Sequence, residues 1–106
     1  MIRNGDNMLN KLNDKLIKKL VKAIVSIKTE DECVNFLEDL CTMSEVKSMA
    51  QRLEVAKMLE QGMVYSEIAQ KTGSSTATIS RVKRALDYGT GGYRIVLDRT
   101  ASDSEE

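Results

Sequence analysis

Residues 65–84, with the sequence YSEIAQKTGSSTATISRVKR, have the types and spacing best suited to a chemical task. Ala69 is a small residue at a position where two helices could cross, and Gly73 tolerates a positive φ in the turn that follows. Ile79 and Val82 come where a second helix would pack onto the first. This spacing is typical of a helix-turn-helix.

The second helix of this segment has a face suited to DNA. If Ile79 points to the core, the opposite face is small and polar at its N-terminal end, basic further on, and includes Tyr88. Such a face fits a major groove about 12 Å wide, and a helix N-terminus can donate hydrogen bonds to a phosphate. Between Glu67 and the end of this helix, Asp87 is the only carboxylate. We therefore predict DNA contacts from Ser74, Ser75, Thr76, Ala77, Ser80, Arg81, Lys83 and Arg84.

The charges of the chain cancel in total but not segment by segment. Its 106 residues include 16 Lys and Arg and 16 Asp and Glu. Residues 1–28 have a net charge of +5, residues 29–60 of −5, residues 61–94 of +3 and residues 95–106 of −3. Because salt screens charges beyond about 10 Å, the zero total does not exclude an anionic partner for the basic third segment.

Residue types that are absent or rare exclude most catalytic chemistry. The chain has no His, which removes imidazole bases, His-based triads and His-containing zinc sites. With no metal-ligand cluster and no nucleophile beside a base, we predict no enzyme, no metal and no cofactor. Cys33 and Cys41 would lie about 12 Å apart along one helix, too far for a disulfide, and are interpreted as small buried side chains. With no signal peptide and no membrane-spanning run, we expect a cytoplasmic protein.

Hydrophobic periodicity predicts helices along most of the chain and no sheet. The first predicted helix, residues 6–27, has a broad apolar stripe opposite a row of lysines, which indicates packing against two neighbours or against another subunit. A capping box at Thr29 predicts a helix over residues 30–41. A second box at Thr42 begins a helix that ends near Gln61.

Two short helices complete the predicted elements. Ser66 is expected to cap a helix over residues 67–72, and Ser74 or Ser75 a helix that ends at Tyr88.

The predicted domain organisation follows from these elements. Residues 1–88 are expected to form one helical domain, in which residues 1–61 supply the core and dimerisation helices and residues 65–88 the helix-turn-helix. Residues 89–106 are predicted to be a Gly-rich joint and an acidic, partly disordered tail. Within them, the short apolar run 94–97 fits neither helix nor strand better.

The chain from Leu40 to Leu86, and residues 75–84 most specifically, resembles the Trp repressor family, in particular its YerC/YecD-type branch. The resemblance implies an all-α, six-helix fold with a C-terminal helix-turn-helix, assembled as an intertwined homodimer. It also implies sequence-specific binding of double-stranded DNA, with reading helices about 34 Å apart on a roughly palindromic operator. We therefore expect a transcriptional regulator, and specifically a repressor.

The same resemblance implies a candidate effector pocket. Arg52 and Arg81 match two arginines that hold tryptophan in the Trp repressor, and Thr42 matches a threonine of that pocket. However, Val82 stands where the repressor has a Gly beside the indole, and Ala85 where a Ser helps to hold the amino group. Because a branched side chain in a packed slot typically costs about 1–3 kcal/mol, we expect that tryptophan is not the effector.

Other classes of function stay open. The main alternative is a small helical protein-interaction module without DNA binding, in which the acidic residues 30–60 and the first helix bind a partner protein. An enzyme is the least favoured class. A Lys-rich amphipathic helix can also lie on a membrane surface, but the first predicted helix has no Trp or Phe to anchor it, so we expect no membrane partner.

Overall fold

The computed structural model describes residues 14–103, and in that part of the chain it shows six α-helices, one short 3-10 turn and no strand. This confirms the predicted all-α fold class. Of the predicted first helix, residues 6–13 lie outside the described residues. None of the described helices is long and apolar enough to cross a membrane. The helices are α1 (Lys15–Val25), α2 (Glu30–Leu40), α3 (Met43–Glu60), α4 (Tyr65–Thr72), α5 (Thr76–Tyr88) and α6 (Gly92–Thr100).

Residues 1–43 form the first of two compact units, and its described part contains α1 and α2. Asp14 caps α1, because its carboxylate accepts a backbone N–H of the first turn at 2.8 Å. At the start of α2, Glu32 N–H donates to Thr29 Oγ1 at 3.0 Å, and Glu32 Oε1 accepts the N–H of Lys28 at 2.9 Å. The predicted capping at Thr29 is confirmed, with the return bond one residue earlier than in the standard box.

The apolar stripe of α1 is only partly covered in the described chain, where Ile17 and Ala23 are half-buried. Neither α1 nor α2 contains a fully buried residue. Leu20 is 39% exposed and Ile24 51%. The other exposed apolar residues of α1 are Leu16, Val21 and Val25. An amphipathic helix is stabilised mainly by packing of its apolar face, so the exposed part of this stripe lacks a packing partner among residues 14–103.

Residues 44–106 form the second compact unit, which has a hydrophobic core of its own. Helix α3 supplies Val55 and Ala56 to this core, alongside residues of α4 and α5. Helix α3 therefore shares a core with the last helices, and the predicted division into residues 1–61 and 65–88 stays a prediction. The buried core residues are Val55, Ala56, Ile68, Ile79, Val82 and Leu86.

The segment after residue 88 is more ordered than the sequence predicts. Residues 92–100 form α6, and its Tyr93 and Leu97 pack against the core of the second unit. Arg94 forms an ion pair with Glu60 and donates from Nη2 to the carbonyl oxygen of Leu86 at 3.1 Å. Helix α6 therefore packs on the core of the second unit, and the domain boundary at residue 88 stays a prediction. Residues 101–103 form the 3-10 turn, and the last three residues of the predicted tail lie outside the described part.

Gly89 is the residue that allows α5 to end where it does. Its N–H donates to the carbonyl oxygen of Ala85 at 2.9 Å, and a Cβ on Gly89 would overlap that oxygen. We expect Gly89→Ala to lower the free energy of unfolding by about 1–3 kcal/mol, since backbone would have to shift. The matched control is Gly92→Ala, where a Cβ meets nothing within 4 Å. Urea denaturation should show the control as stable as the wild type, and equal losses in both variants would contradict this account.

Candidate nucleic-acid interface

Helices α4 and α5 are joined by a turn that the rest of the second unit holds in place. Gly73 has φ 74°, in the left-handed region as predicted, and its N–H donates to the carbonyl oxygen of Ala69 at 2.9 Å. Nε2 of Gln51, on α3, donates to the carbonyl oxygen of Thr72 at 2.8 Å. This contact spans 21 positions in sequence, so no local pattern could predict it.

The start of α4 differs from its prediction. The helix begins at Tyr65, its N-cap is Val64, and no side chain caps it. Ser66, the expected cap, lies inside the first turn. The serine at position 66 therefore does not decide where α4 begins. Ile68 and Ala69 pack in the core, and this packing fixes the position of the helix.

The start of α5 resolves which serine caps it. Ser75 is the N-cap, and its Oγ accepts from the N–H of Thr78 at 3.1 Å. Ser74 is only 8% exposed, and its buried Oγ has no hydrogen-bond partner among the described residues. Its backbone N–H donates to Thr72 Oγ1 at 3.1 Å. The hydroxyl of Ser74 is therefore not part of the exposed surface, and the DNA contact expected from Ser74 stays a prediction.

The remaining predicted contacts share one exposed surface. Ile79, Val82 and Leu86 are buried on one side of α5. Because residues three and four apart lie on one face of a helix, Ala77, Ser80, Arg81, Arg84 and Tyr88 lie on the side opposite the buried residues. Thr76 and Lys83 lie on the flank of that side. The exposed residues of this surface, which we call the reading face, are Ser75, Thr76, Ala77, Ser80, Arg81, Lys83, Arg84 and Tyr88.

The charges on the reading face are not equivalent. Nζ of Lys83 lies 3.5 Å from a carboxylate oxygen of Asp87, one turn later. The guanidinium carbon of Arg84 lies over the ring of Tyr88, 5.8 Å from its centroid. Neither Arg81 nor Arg84 forms an ion pair with another described residue. The two arginines are therefore the cations of this face that are not already neutralised.

The residues of the candidate effector pocket do not belong to one compact unit. Thr42 is in the first unit, whereas Arg52 on α3 and Arg81 on α5 are in the second. Nη1 of Arg52 donates to Ser48 Oγ at 2.8 Å. From the sequence we also expect Arg52 to pair with a carboxylate, Glu45 or Glu54, and this stays a prediction. Val82 is only 2% exposed, so its side chain is part of the core.

Comparison with known proteins decides the family. The family model described as Trp repressor protein matches residues 15–101, which span all six described helices. The chain belongs to the Trp repressor family. The recognition made from residues 40–86 is thereby confirmed.

Relatives of this Trp repressor family member match nearly the whole chain. Uncharacterized protein YerC of Bacillus subtilis (strain 168) is 49% identical over 98 residues, covering 92% of this chain and 94% of YerC. A crystal structure of a candidate Trp repressor from Staphylococcus aureus has a TM-score of 0.84 and 45% identity, and covers 91% of this chain and 96% of its own. A TrpR-like protein from Eubacterium eligens ATCC 27750 has a TM-score of 0.81 and 51% identity, with 87% and 95% covered.

Membership in the family gives the coarse function. The Trp repressor family is one of regulatory DNA-binding proteins and not of enzymes. A DNA-binding function agrees with the exposed polar and basic residues of the reading face, and the amino-acid composition includes no His.

Proposed function

We propose that this protein is a sequence-specific transcriptional regulator that binds double-stranded DNA as a homodimer, with α5 in the major groove. The observation that carries the proposal is the two-sided character of α5. One side is locked into the core by Ile79, Val82 and Leu86. The other exposes small polar residues followed by Arg81 and Arg84, which form no ion pair within the described chain. A rigidly held helix with such a face can follow the groove floor near its N-terminus and the phosphates further on.

The proposal of a homodimer rests on apolar surface that the single chain leaves uncovered. Helix α1 exposes its apolar stripe, and the second unit by itself exposes Met49 and Leu53 on α3 and Ile95 and Val96 on α6. For a chain of this size, folding alone buries only about 65% of the surface of the unfolded chain. A second copy would cover these faces and would place two reading faces on successive major grooves.

The mode of action that fits best is repression by occupancy of an operator, without tryptophan as effector. The chain has no net charge and pairs Lys83 with Asp87, so its non-specific attraction to DNA should be weak and groove fit should dominate. Val82, where the indole slot would be, is packed into the core.

Selection of bound duplexes from a randomised DNA pool tests the function. We expect enrichment of a palindromic motif whose half-sites are about 34 Å apart, by a protein whose mass in solution is that of a dimer. A monomer that enriches no sequence would contradict the proposal and would favour a protein-interaction module instead.

Single substitutions on the reading face should separate affinity from sequence preference. Arg84→Ala should weaken binding to selected and random duplexes alike, and should lower the slope of log affinity against log salt by about 0.9 for each phosphate that is no longer neutralised. Ser80→Ala should change the selected motif instead, at a cost of about 1–3 kcal/mol on the original site. Fluorescence anisotropy titrations at several salt concentrations measure both effects. Equal losses on both duplexes in the two variants would contradict the orientation given to α5.

A further inference from the structure

The last turns of α5 hold two cations in different ways. Lys83 is paired with the carboxylate of Asp87, which offsets its charge. Arg84 instead lies over the ring of Tyr88, with 5.8 Å between its guanidinium carbon and the ring centroid. An aromatic ring attracts a cation through its quadrupole and has no net charge. Arg84 is therefore restrained on the helix while its full positive charge stays available.

We propose that Tyr88 is a positioning residue, whose ring holds the Arg84 guanidinium at the C-terminal end of α5 for contact with a DNA phosphate. This rests on the proposed function above. A free arginine side chain loses rotamer entropy when it binds, and restraint before binding removes part of that cost. A guanidinium over a ring face keeps N–H donors on its edges, and these can pair with phosphate oxygens.

The fold itself does not need an aromatic side chain at position 88. Tyr88 is 73% exposed and does not belong to the hydrophobic core or to the residues packed against it. Its hydroxyl forms no hydrogen bond with another described residue. What the ring contacts is Arg84, one helical turn earlier. A large apolar ring left in water at the edge of a DNA-facing surface is explained by that contact.

The test compares Tyr88→Phe, which keeps the ring, with Tyr88→Leu, which removes it. The probe is the duplex selected from the randomised pool, titrated by fluorescence anisotropy. An exposed cation–π contact is worth about two- to five-fold in an equilibrium constant, so a dimer that uses it twice should lose about four- to twenty-five-fold with Tyr88→Leu. Tyr88→Phe should bind within about two-fold of the wild type, because the ring and not the hydroxyl holds Arg84.

A double-mutant cycle separates positioning from direct contact. In the Arg84→Ala background, Tyr88→Leu should have no further effect, since there is no guanidinium left to hold. Additive losses would mean that Tyr88 contacts DNA by itself, and a Tyr88→Phe variant as weak as Tyr88→Leu would assign the contact to the hydroxyl. Either result overturns the proposal.

Two controls distinguish loss of the positioning role from misfolding and from failure of the proposed function. A third variant, Tyr88→Gln, removes the ring but keeps a polar side chain. Because Tyr88 is exposed, all three variants at position 88 should unfold at the temperature of the wild type. If the wild type binds DNA, and if both Tyr88→Leu and Tyr88→Gln bind it as tightly as the wild type does, only the positioning role is overturned. If the wild type binds no duplex, the proposed function fails and the positioning role with it.

Discussion

Replacement of Val82 with glycine is expected to lower the free energy of unfolding by about 3–4 kcal/mol. Val82 is 2% exposed and packs in the core of the second unit with Ile79 and Leu86. Loss of its buried side chain removes about 2–3 kcal/mol of burial and packing, and glycine inside a helix adds about 1 kcal/mol. Urea denaturation, monitored by the far-UV circular dichroism of the helices, measures the change.

A neighbouring control separates the two contributions. Ala85→Gly, at an exposed position of the same helix, should cost only the helix-propensity part of about 1 kcal/mol. Val82→Ala should fall between the two variants, since it opens the cavity without placing glycine in α5. A Val82→Gly variant that is no less stable than Ala85→Gly would show that the side chain of Val82 contributes little to the core.

The same position tests the effector. The wild type should show no shift in its thermal unfolding temperature with millimolar tryptophan, because a ligand raises the stability of the folded state measurably only when its concentration reaches or exceeds its dissociation constant. Val82→Gly, which restores the residue that the Trp repressor has beside the indole, should regain such a shift if the slot is otherwise intact. Micromolar binding of tryptophan to the wild type would contradict our expectation.

The α4–α5 segment could be predicted well because its signals are local. A glycine with positive φ, a serine cap and apolar residues three positions apart all act over one or two helical turns, and Gly73, Ser75, Ile79 and Val82 take the predicted roles. The exposed surface of α5 follows from the same spacing. The sequence leaves Ser74 and Ser75 equivalent as caps, because only the packing of the turn buries Ser74 and leaves Ser75 as the N-cap.

Features that depend on contacts between distant segments could not be predicted. Helical spacing puts Val46, Met49, Ala50, Leu53, Ala56 and Leu59 on one stripe of α3. Ala56 and Leu59 of this stripe do pack in the core, but Met49 and Leu53 are exposed, and Val55 is buried from outside the stripe. Helix α3 has two apolar faces, and the sequence does not say which one packs inside the chain. Helix α6 was missed for a similar reason, because only Tyr93 and Leu97 indicate its packing face and glycines precede it.

Acidic side chains on the apolar stripe of α1 should have the largest effect on assembly. In the double variant Leu20→Glu and Ile24→Glu, the dissociation constant of the proposed homodimer should rise at least about 1000-fold. Burial of each apolar side chain is worth about 1.5–3 kcal/mol, and a dimer contains both positions twice. A carboxylate on a buried surface also loses hydration that nothing there replaces. Sedimentation velocity at micromolar protein should show a monomer.

The loss of the dimer should be felt in DNA binding, although the reading face is untouched. Two linked half-sites bind about 100- to 10,000-fold more tightly than one, so the double variant should lose at least about 100-fold on the selected palindrome. It should stay folded in its second unit, whose core does not include α1. The matched control is Lys18→Gln with Lys22→Gln, which lowers the net charge by the same two units on the opposite side of α1. That variant should remain a dimer and bind the palindrome nearly as well as the wild type. If both double variants lose DNA binding equally, charge and not assembly accounts for the effect, and the role given to the stripe of α1 is wrong.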